Sequence, residues 1–337
     1  MKSQQPKNDD VTGQDPVLPE DRFLRTFLGS LALDYAIRQG LIARLAKGDP
    51  LPDGPMTTTL STLLQDAGVV KGGGLTDAFL EVWSQRREIL EKKLSFLMLA
   101  ARDVVSHFDD LMGDLPRFMG QSETFALFRY DRALSTDQTA LDSTRPWVEY
   151  VTALSRAEAP HLAPRLPLEG VENLLEIGGN TGVMARAILD LHPDMHGVIL
   201  DLPAVCALAE NERVNYPRLK FVAGDARRGA WPDVKGYVAD AVLFKSVLHD
   251  WPESDAKTMI GRAVEYLPSG GRVIVCERGV FGDGPMPFSM TANVVFAPFY
   301  REPTWYEAAF DAAGLKDIAR STVLLDMPFH IVSGVLP

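Results

Sequence analysis

His249 is the side chain best placed to handle a proton near neutral pH. Asp250 and Trp251 follow it, and Lys245 lies four residues before it, at the end of the run Ala241-Val242-Leu243-Phe244-Lys245. A histidine can act as a general base toward a weakly acidic hydroxyl. Upstream, three carboxylates recur in comparable settings. Glu176 belongs to Leu174-Leu175-Glu176-Ile177, directly before Gly178-Gly179-Asn180-Thr181-Gly182. Asp201 closes the apolar run 197–201 and precedes Leu202-Pro203, and Asp225 follows Gly224 just beyond the run 220–223.

A hydrophobic strand that ends in a glycine-rich turn and opens a helix lets a ligand approach the backbone. The glycines read G-G-x-x-G rather than the G-x-G-x-x-G of a dinucleotide turn. Glu176 beside them would oppose a pyrophosphate. S-adenosylmethionine, with its ammonium, carboxylate and sulfonium groups, suits such a turn better. Asp201 stands where a carboxylate can accept both hydroxyls of a ribose, although it could equally cap the next helix. Asp225 stands where the amino group of adenine would be received.

These residues need a sheet to hold them. Beyond Pro164, short β-branched runs alternate with helical stretches: strands at 173–177, 197–201, 220–223, 239–245 and 272–276, helices at 183–191, 204–211 and 254–267. That rhythm predicts an α/β fold, a Rossmann-like, doubly wound and mostly parallel sheet with right-handed crossovers. Two further runs, 318–325 and 330–335, are too close for a crossover and predict an antiparallel edge hairpin. His249 then falls in a loop at the ligand-facing rim.

The first half reads as helical. Apolar residues recur at helical intervals over 23–45 and 80–115, with a short unit between them ending at Gly72-Gly73-Gly74, which predicts an α-helical, winged-helix-like domain. Its apolar helices suggest a homodimer. Residues 116–159 are rich in aromatics, among them Phe118, Phe125, Phe128, Tyr130, Trp147 and Tyr150, and these either fill a core or line a pocket; large apolar side chains favour the core. The expected divisions are a disordered tail at 1–20, a helical dimerisation domain at 21–155 and a cofactor-binding catalytic domain at 156–337.

Taken together, Glu176-Ile-Gly-Gly-Asn-Thr-Gly182, Asp201-Leu-Pro, Gly224-Asp225 and Lys245-x-x-x-His249-Asp250-Trp251 resemble the class I O-methyltransferases of the plant caffeic-acid type and of bacterial antibiotic and pigment tailoring. The resemblance implies S-adenosylmethionine as cofactor, S-adenosylhomocysteine as product and a small hydroxylated aromatic acceptor. It assigns cofactor contacts to Gly178, Asp201, Asp225, Ala226 and Lys245. Glu176, Gly179 and Leu202, inside the same motifs, join the expected cofactor site. The resemblance makes His249 the base and Glu277 the carboxylate that holds its tautomer, with Glu302 as a second orienting carboxylate. Asp250 either orients His249 or caps the following helix. The Met- and aromatic-rich stretch 286–300 occupies the place of the family's acceptor pocket. Where the family usually has a third glycine, this chain has Asn180.

Composition sets limits on partners. With a formal net charge of −11 and no basic stripe, the chain would repel a phosphate backbone, so nucleic acid is not expected. Cys206 and Cys276 sit in apolar runs without ligand spacing, which suits free thiols and a reducing cytoplasm. No apolar run reaches the roughly 18 residues of a membrane span, and no metal is expected. Two rival readings are a methyltransferase-fold hydroxylase or decarboxylase, and a catalytically silent dimeric binding protein.

Overall fold

Helical periodicity in the first half produces a bundle around one apolar core. The computed structural model describes residues 17–211, 216–228, 231, 237–281 and 286–337. Helices α1 (Phe27–Arg38), α2 (Leu41–Leu45) and α3 (Thr57–Asp66) bury Leu33, Ile42 and Leu64 together. A small hairpin of β1 (Val70–Lys71) and β2 (Gly74–Leu75) follows, and its turn puts Gly72 and Gly73 at positive φ. This is the winged-helix-like unit. Thr76 accepts the Phe79 N–H at 3.3 Å and starts α4 (Asp77–Gln85), and α5 (Arg87–Gly113) adds Leu90, Leu94 and Leu97 to the core. The helical stretch read over 80–115 is broken at Arg86, where φ is −130° and ψ is 19°, and kinked again inside α5 at His107, where φ is −134° and ψ is 29°.

After α6 (Leu115–Gln121), buried Asp103 accepts the Ser122 hydroxyl at 2.6 Å and the Thr124 N–H at 2.8 Å, which pins the start of α7 (Glu123–Leu127) to α5. The long α8 (Gln138–Leu162) comes next. It runs across the expected boundary between 155 and 156, so one helix packs against both halves. Trp147 and Val148 pack with Val205 and Leu208, while Ala159 and Leu162 join the core of the sheet. Of the expected tail, residues 1–16 lie outside the described residues, yet Leu18 and Glu20 are buried, and Glu20 pairs with Arg86 at 2.9 Å.

The second half is the expected alternation: β3 (Asn173–Ile177), α9 (Val183–Leu191), β4 (His196–Asp201), α10 (Pro203–Asn211), β5 (Leu219–Ala223), β6 (Ala241–Lys245), α11 (Glu253–Tyr266) and β7 (Arg272–Arg278). Two helices, α12 (Thr291–Phe296) and α13 (Pro303–Ala312), lead to β8 (Lys316–Leu324) and β9 (Pro328–Val335). The sheet order is β5-β4-β3-β6-β7-β9-β8, parallel through β7 and antiparallel for the last two strands. Successive strand residues face opposite sides. Leu174, Leu243 and Ile274 enter one core, and Leu175, Val242, Phe244 and Val275 enter the other. Because β3 lies between β4 and β6, the strand order reverses there, and the crevice outside the strand ends opens at that point. Among the described residues no helix is long and apolar enough to cross a membrane.

Candidate active site

The turn after β3 forms one wall of the crevice. Gly178, at φ +66°, and Asn180, at φ +52°, both adopt the left-handed conformation, which glycine tolerates best and asparagine better than most residues. The Asn180 N–H donates to Asp201 Oδ2 at 2.7 Å, and the Leu202 N–H donates to Asp201 Oδ1 at 2.7 Å. Asparagine at the family's glycine position therefore keeps the turn and ties it to the end of β4. Burial pushes the Asp201 carboxyl up to about 6, against the pull of these two N–H groups. Asp225 lies beyond β5 and is held by Arg227 at 2.7 Å. The Arg227 guanidinium lies 3.7 Å from the centre of the Trp251 ring.

On the other side of the strand-order reversal, β6 ends at Lys245 and the chain turns sharply at Ser246, at φ +53°. This left-handed turn and the 3-10 turn Leu248–Asp250 bring His249 into the crevice. Its Nδ1 meets Glu277 Oε2. Oε1 of Glu277 accepts the N–H groups of Val247 at 2.8 Å and Leu248 at 2.7 Å, so one carboxylate orients both the ring and its loop. Asp250 Oδ1 lies 3.3 Å from Nε2. Burial draws the imidazole pKa down, but Glu277 and Asp250 outweigh it and hold it above its ordinary value. Tyr300 closes the site edge-on, its ring centre 5.6 Å from that of His249.

Both walls line one cavity of about 350 Å³. Gly178, Asp201, Leu202, Asp225, Ala226 and Lys245 border one part of it, and Phe125, Phe128, Tyr150, Asn293, Phe296 and Tyr300 another. The aromatics of the first half are therefore pocket lining as well as core: Phe128 meets Phe296 of α12 edge-on at 5.8 Å, whereas Phe118 is fully buried. Cavity-lining Asn180 and Trp147 also carry a buried acceptor, Oδ1, and a buried donor, Nε1, that no group among the described residues satisfies. Two carboxylates, an ammonium group, apolar Leu202 and Ala226 and two orphaned polar atoms form a donor set that fits an adenosyl amino acid.

Several functional neighbours carried no sequence signal. Glu158, fully buried on α8, receives Lys245 at 2.5 Å and also Arg278, so it holds two cations at the cavity wall. In the sequence it reads as one more charge on a helix. Tyr130 donates its hydroxyl to Asp250 Oδ2 at 2.9 Å across 120 residues.

Three expected site residues are placed elsewhere. Glu176 and Gly179 do not line the cavity. Glu176 lies beneath the turn, so a Cβ on Gly179 would stand 2.8 Å from its Oε2, a buried oxygen with no hydrogen-bond partner among the described residues. Glu302 is exposed at the start of α13 and does not reach His249, whose two nitrogens face Glu277 and Asp250. Its neighbour Arg301 turns inward instead and donates to the Leu248 carbonyl at 2.6 Å. A guanidinium can satisfy carbonyls in the loop that carries the base, which a carboxylate cannot.

A sheet of this order, with acidic strand ends and a helical first half over its crevice, defines the class I methyltransferase fold. Human N-acetylserotonin methyltransferase, solved in complex with S-adenosylmethionine, has a TM-score of 0.71 to this chain at 16% identity, covering 91% of this chain and 93% of that one. Mitomycin 7-O-methyltransferase MmcR has a TM-score of 0.66 at 18% identity, covering 91% and 94%. A family model of the O-methyltransferase domain matches residues 139–310, more than half of the chain, and the protein belongs to that family. The 3-hydroxy-5-methyl-1-naphthoate 3-O-methyltransferase of Streptomyces sahachiroi is 32% identical over 162 residues, 47% of each chain. The caffeic acid 3-O-methyltransferase of Zea mays is 35% identical over 109 residues, 32% of this chain and 27% of that one. The chain thus spans about half or less of the length of these curated relatives.

Proposed function

We propose that the protein is an S-adenosylmethionine-dependent O-methyltransferase that acts on a hydroxyl of a small aromatic molecule, with His249 as general base. The observation that carries the reading is the pinned imidazole: Nδ1 is fixed on Glu277, and His249 lines the same cavity as Gly178, Asp201, Asp225 and Lys245. When bound, S-adenosylmethionine supplies a methyl group on a positively charged sulfur and leaves as S-adenosylhomocysteine. Asp201 would hold its ribose hydroxyls, Asp225 the adenine amino group and Lys245 its carboxylate, while Leu202 and Ala226 supply apolar contact.

The chain's own work is to bind, orient and deprotonate. A phenolic hydroxyl is a weak nucleophile until it loses its proton, and Nε2 of His249 takes that proton while Glu277 stabilises the imidazolium. Phe125, Phe128, Phe296 and Tyr300 offer flat apolar surface to an aromatic ring and exclude water. Holding the acceptor in place can lower the barrier by up to ~7–11 kcal/mol. The naphthoate and caffeic acid in the relatives' names support a hydroxylated aromatic acceptor, such as a polyketide phenol or a hydroxybipyrrole of secondary metabolism.

The Glu277–His249 pair favours methyl transfer over a hydroxylase or decarboxylase reading, and over a silent binding protein. Incubation with methyl-labelled cofactor and a panel of phenols tests it. His249→Ala should keep its affinity for S-adenosylhomocysteine and lose roughly 10²- to 10⁴-fold in turnover; undiminished turnover removes His249 from the mechanism. We also propose a homodimer, supported by exposed Leu28, Leu31 and Tyr35 on α1 and Phe108 and Met112 on α5. A single-chain mass in light scattering would refute it.

A further inference from the structure

We infer that Tyr130 is a positioning residue for the base: its hydroxyl holds one oxygen of Asp250 and thereby sets how the other oxygen meets Nε2 of His249. The inference rests on His249 being the base in the reading above. With Nδ1 taken by Glu277, Nε2 is the nitrogen left to receive a proton from an acceptor. Asp250 Oδ1 stands 3.3 Å from it, and Oδ2 of the same carboxylate accepts from Tyr130 at 2.9 Å.

Tyr130 is held in place by its neighbours. Its ring meets Trp147 edge-on and Trp251 at a tilt, both with centroids 5.4 Å away. Trp251 in turn carries the Arg227 guanidinium, the partner of Asp225 at the expected adenosyl end. Contacts thus run without a break from Asp225 through Arg227, Trp251, Tyr130 and Asp250 to His249. Tyr130 lies in the segment between α7 and α8, so the first half of the chain contributes to the environment of the base.

The physical consequence has a sign. A carboxylate beside an imidazole favours the protonated ring. A hydroxyl that donates to the same carboxylate draws off part of its charge and weakens that effect, so Tyr130 eases release of the proton from His249. The other groups facing the pair are Glu277 and Arg278 on β7, Tyr300 after α12, and Tyr306 of α13, which lies near Glu277, Asp250 and Arg301. These stay in place when the Tyr130 hydroxyl is removed.

The test is a ring-labelled histidine NMR titration of the full chain with S-adenosylhomocysteine present, the His249 signal being assigned by its loss in His249→Ala. Tyr130→Phe should move the His249 midpoint upward by roughly half a unit or more. Asp250→Asn should lower the midpoint, and Tyr130→Phe added to Asp250→Asn should move it no further, since the hydroxyl acts through that carboxylate. An unmoved or lowered midpoint in Tyr130→Phe overturns the inference, as does a shift that persists undiminished in the Asp250→Asn background. The titration reads proton affinity without turnover, so failure of methyl transfer and failure of this inference remain separate results.

Discussion

Glu277 and His249 form a buried pair in which one carboxylate oxygen faces the ring while the other gathers the backbone of the loop that carries it. The bond to Nδ1 favours the tautomer that leaves the Nε2 lone pair available. Glu277→Gln removes the charge that stabilises the imidazolium but keeps an oxygen for the N–H groups of Val247 and Leu248. Turnover should fall roughly 10²- to 10⁴-fold with little change in S-adenosylhomocysteine affinity by calorimetry. A variant within about twofold of the parent would remove Glu277 from catalysis.

The acid limb of the reaction follows from the same pair. Burial lowers the pKa of His249, yet Glu277 and Asp250 raise it more, leaving it above the ordinary 6.5. The base works only when neutral, so a raised pKa shifts the acid limb of kcat/KM to higher pH. The limb should have its midpoint above 6.5 in the parent and move down in Glu277→Gln. A midpoint below 6.5 would contradict this placement of the charges.

Glu176 offers a test by stability rather than activity. Burial beneath the turn pushes its carboxyl from 4.5 up to about 7, the nearby Lys245 opposing. A raised acid stabilises the fold fully below 4.5 and loses that contribution as pH rises through about 7. Glutamine does not titrate, so Glu176→Gln should gain on the parent between those values, by at most about 3 kcal/mol. Melting curves at about pH 5 and about pH 8 measure the gain; the same offset at both would show an unshifted carboxyl.

Arg301 and Glu302 are adjacent, yet their replacement should have unequal effects. Arg301 holds the Leu248 carbonyl at 2.6 Å, and Glu302 is exposed. Arg301→Ala should cost about 1–3 kcal/mol of stability and lower turnover, because the loop carrying His249 loses charged hydrogen bonds. Glu302→Gln should leave turnover within about twofold. Steady-state assays of both variants decide the matter, and a large loss in Glu302→Gln alone would restore it as an orienting group.

Asp201 should act mainly on binding. Its replacement by asparagine removes the charge expected to meet the ribose while leaving one acceptor for the turn, so affinity for S-adenosylhomocysteine should fall roughly 10- to 100-fold in calorimetry. Unchanged affinity would take Asp201 out of the cofactor site.

Local pattern made much of this arrangement legible. The strand ends at Asp201 and Lys245 were readable because buried parallel strands are continuous apolar runs that stop where the chain meets the rim. The helix Val183–Leu191 follows from apolar spacing after a glycine turn, and the edge hairpin from two runs too close for a crossover. The packing of α8 against both halves was not legible, because its residues join two clusters built from elements distant in the sequence.

The order of the elements, the acidic rim and a histidine following the fourth strand of the sheet are written in the chain's local pattern, because each depends on residues near one another. How the surrounding charges reach that histidine depends on packing between distant elements. Glu277 and Tyr130 meet the His249–Asp250 turn from 28 and 120 residues away, Glu158 buries its charge on Lys245 across 87, and Glu302 points to solvent while Arg301 turns inward. The direction of a side chain at a site is set by packing between elements distant in sequence, and local spacing carries no record of it.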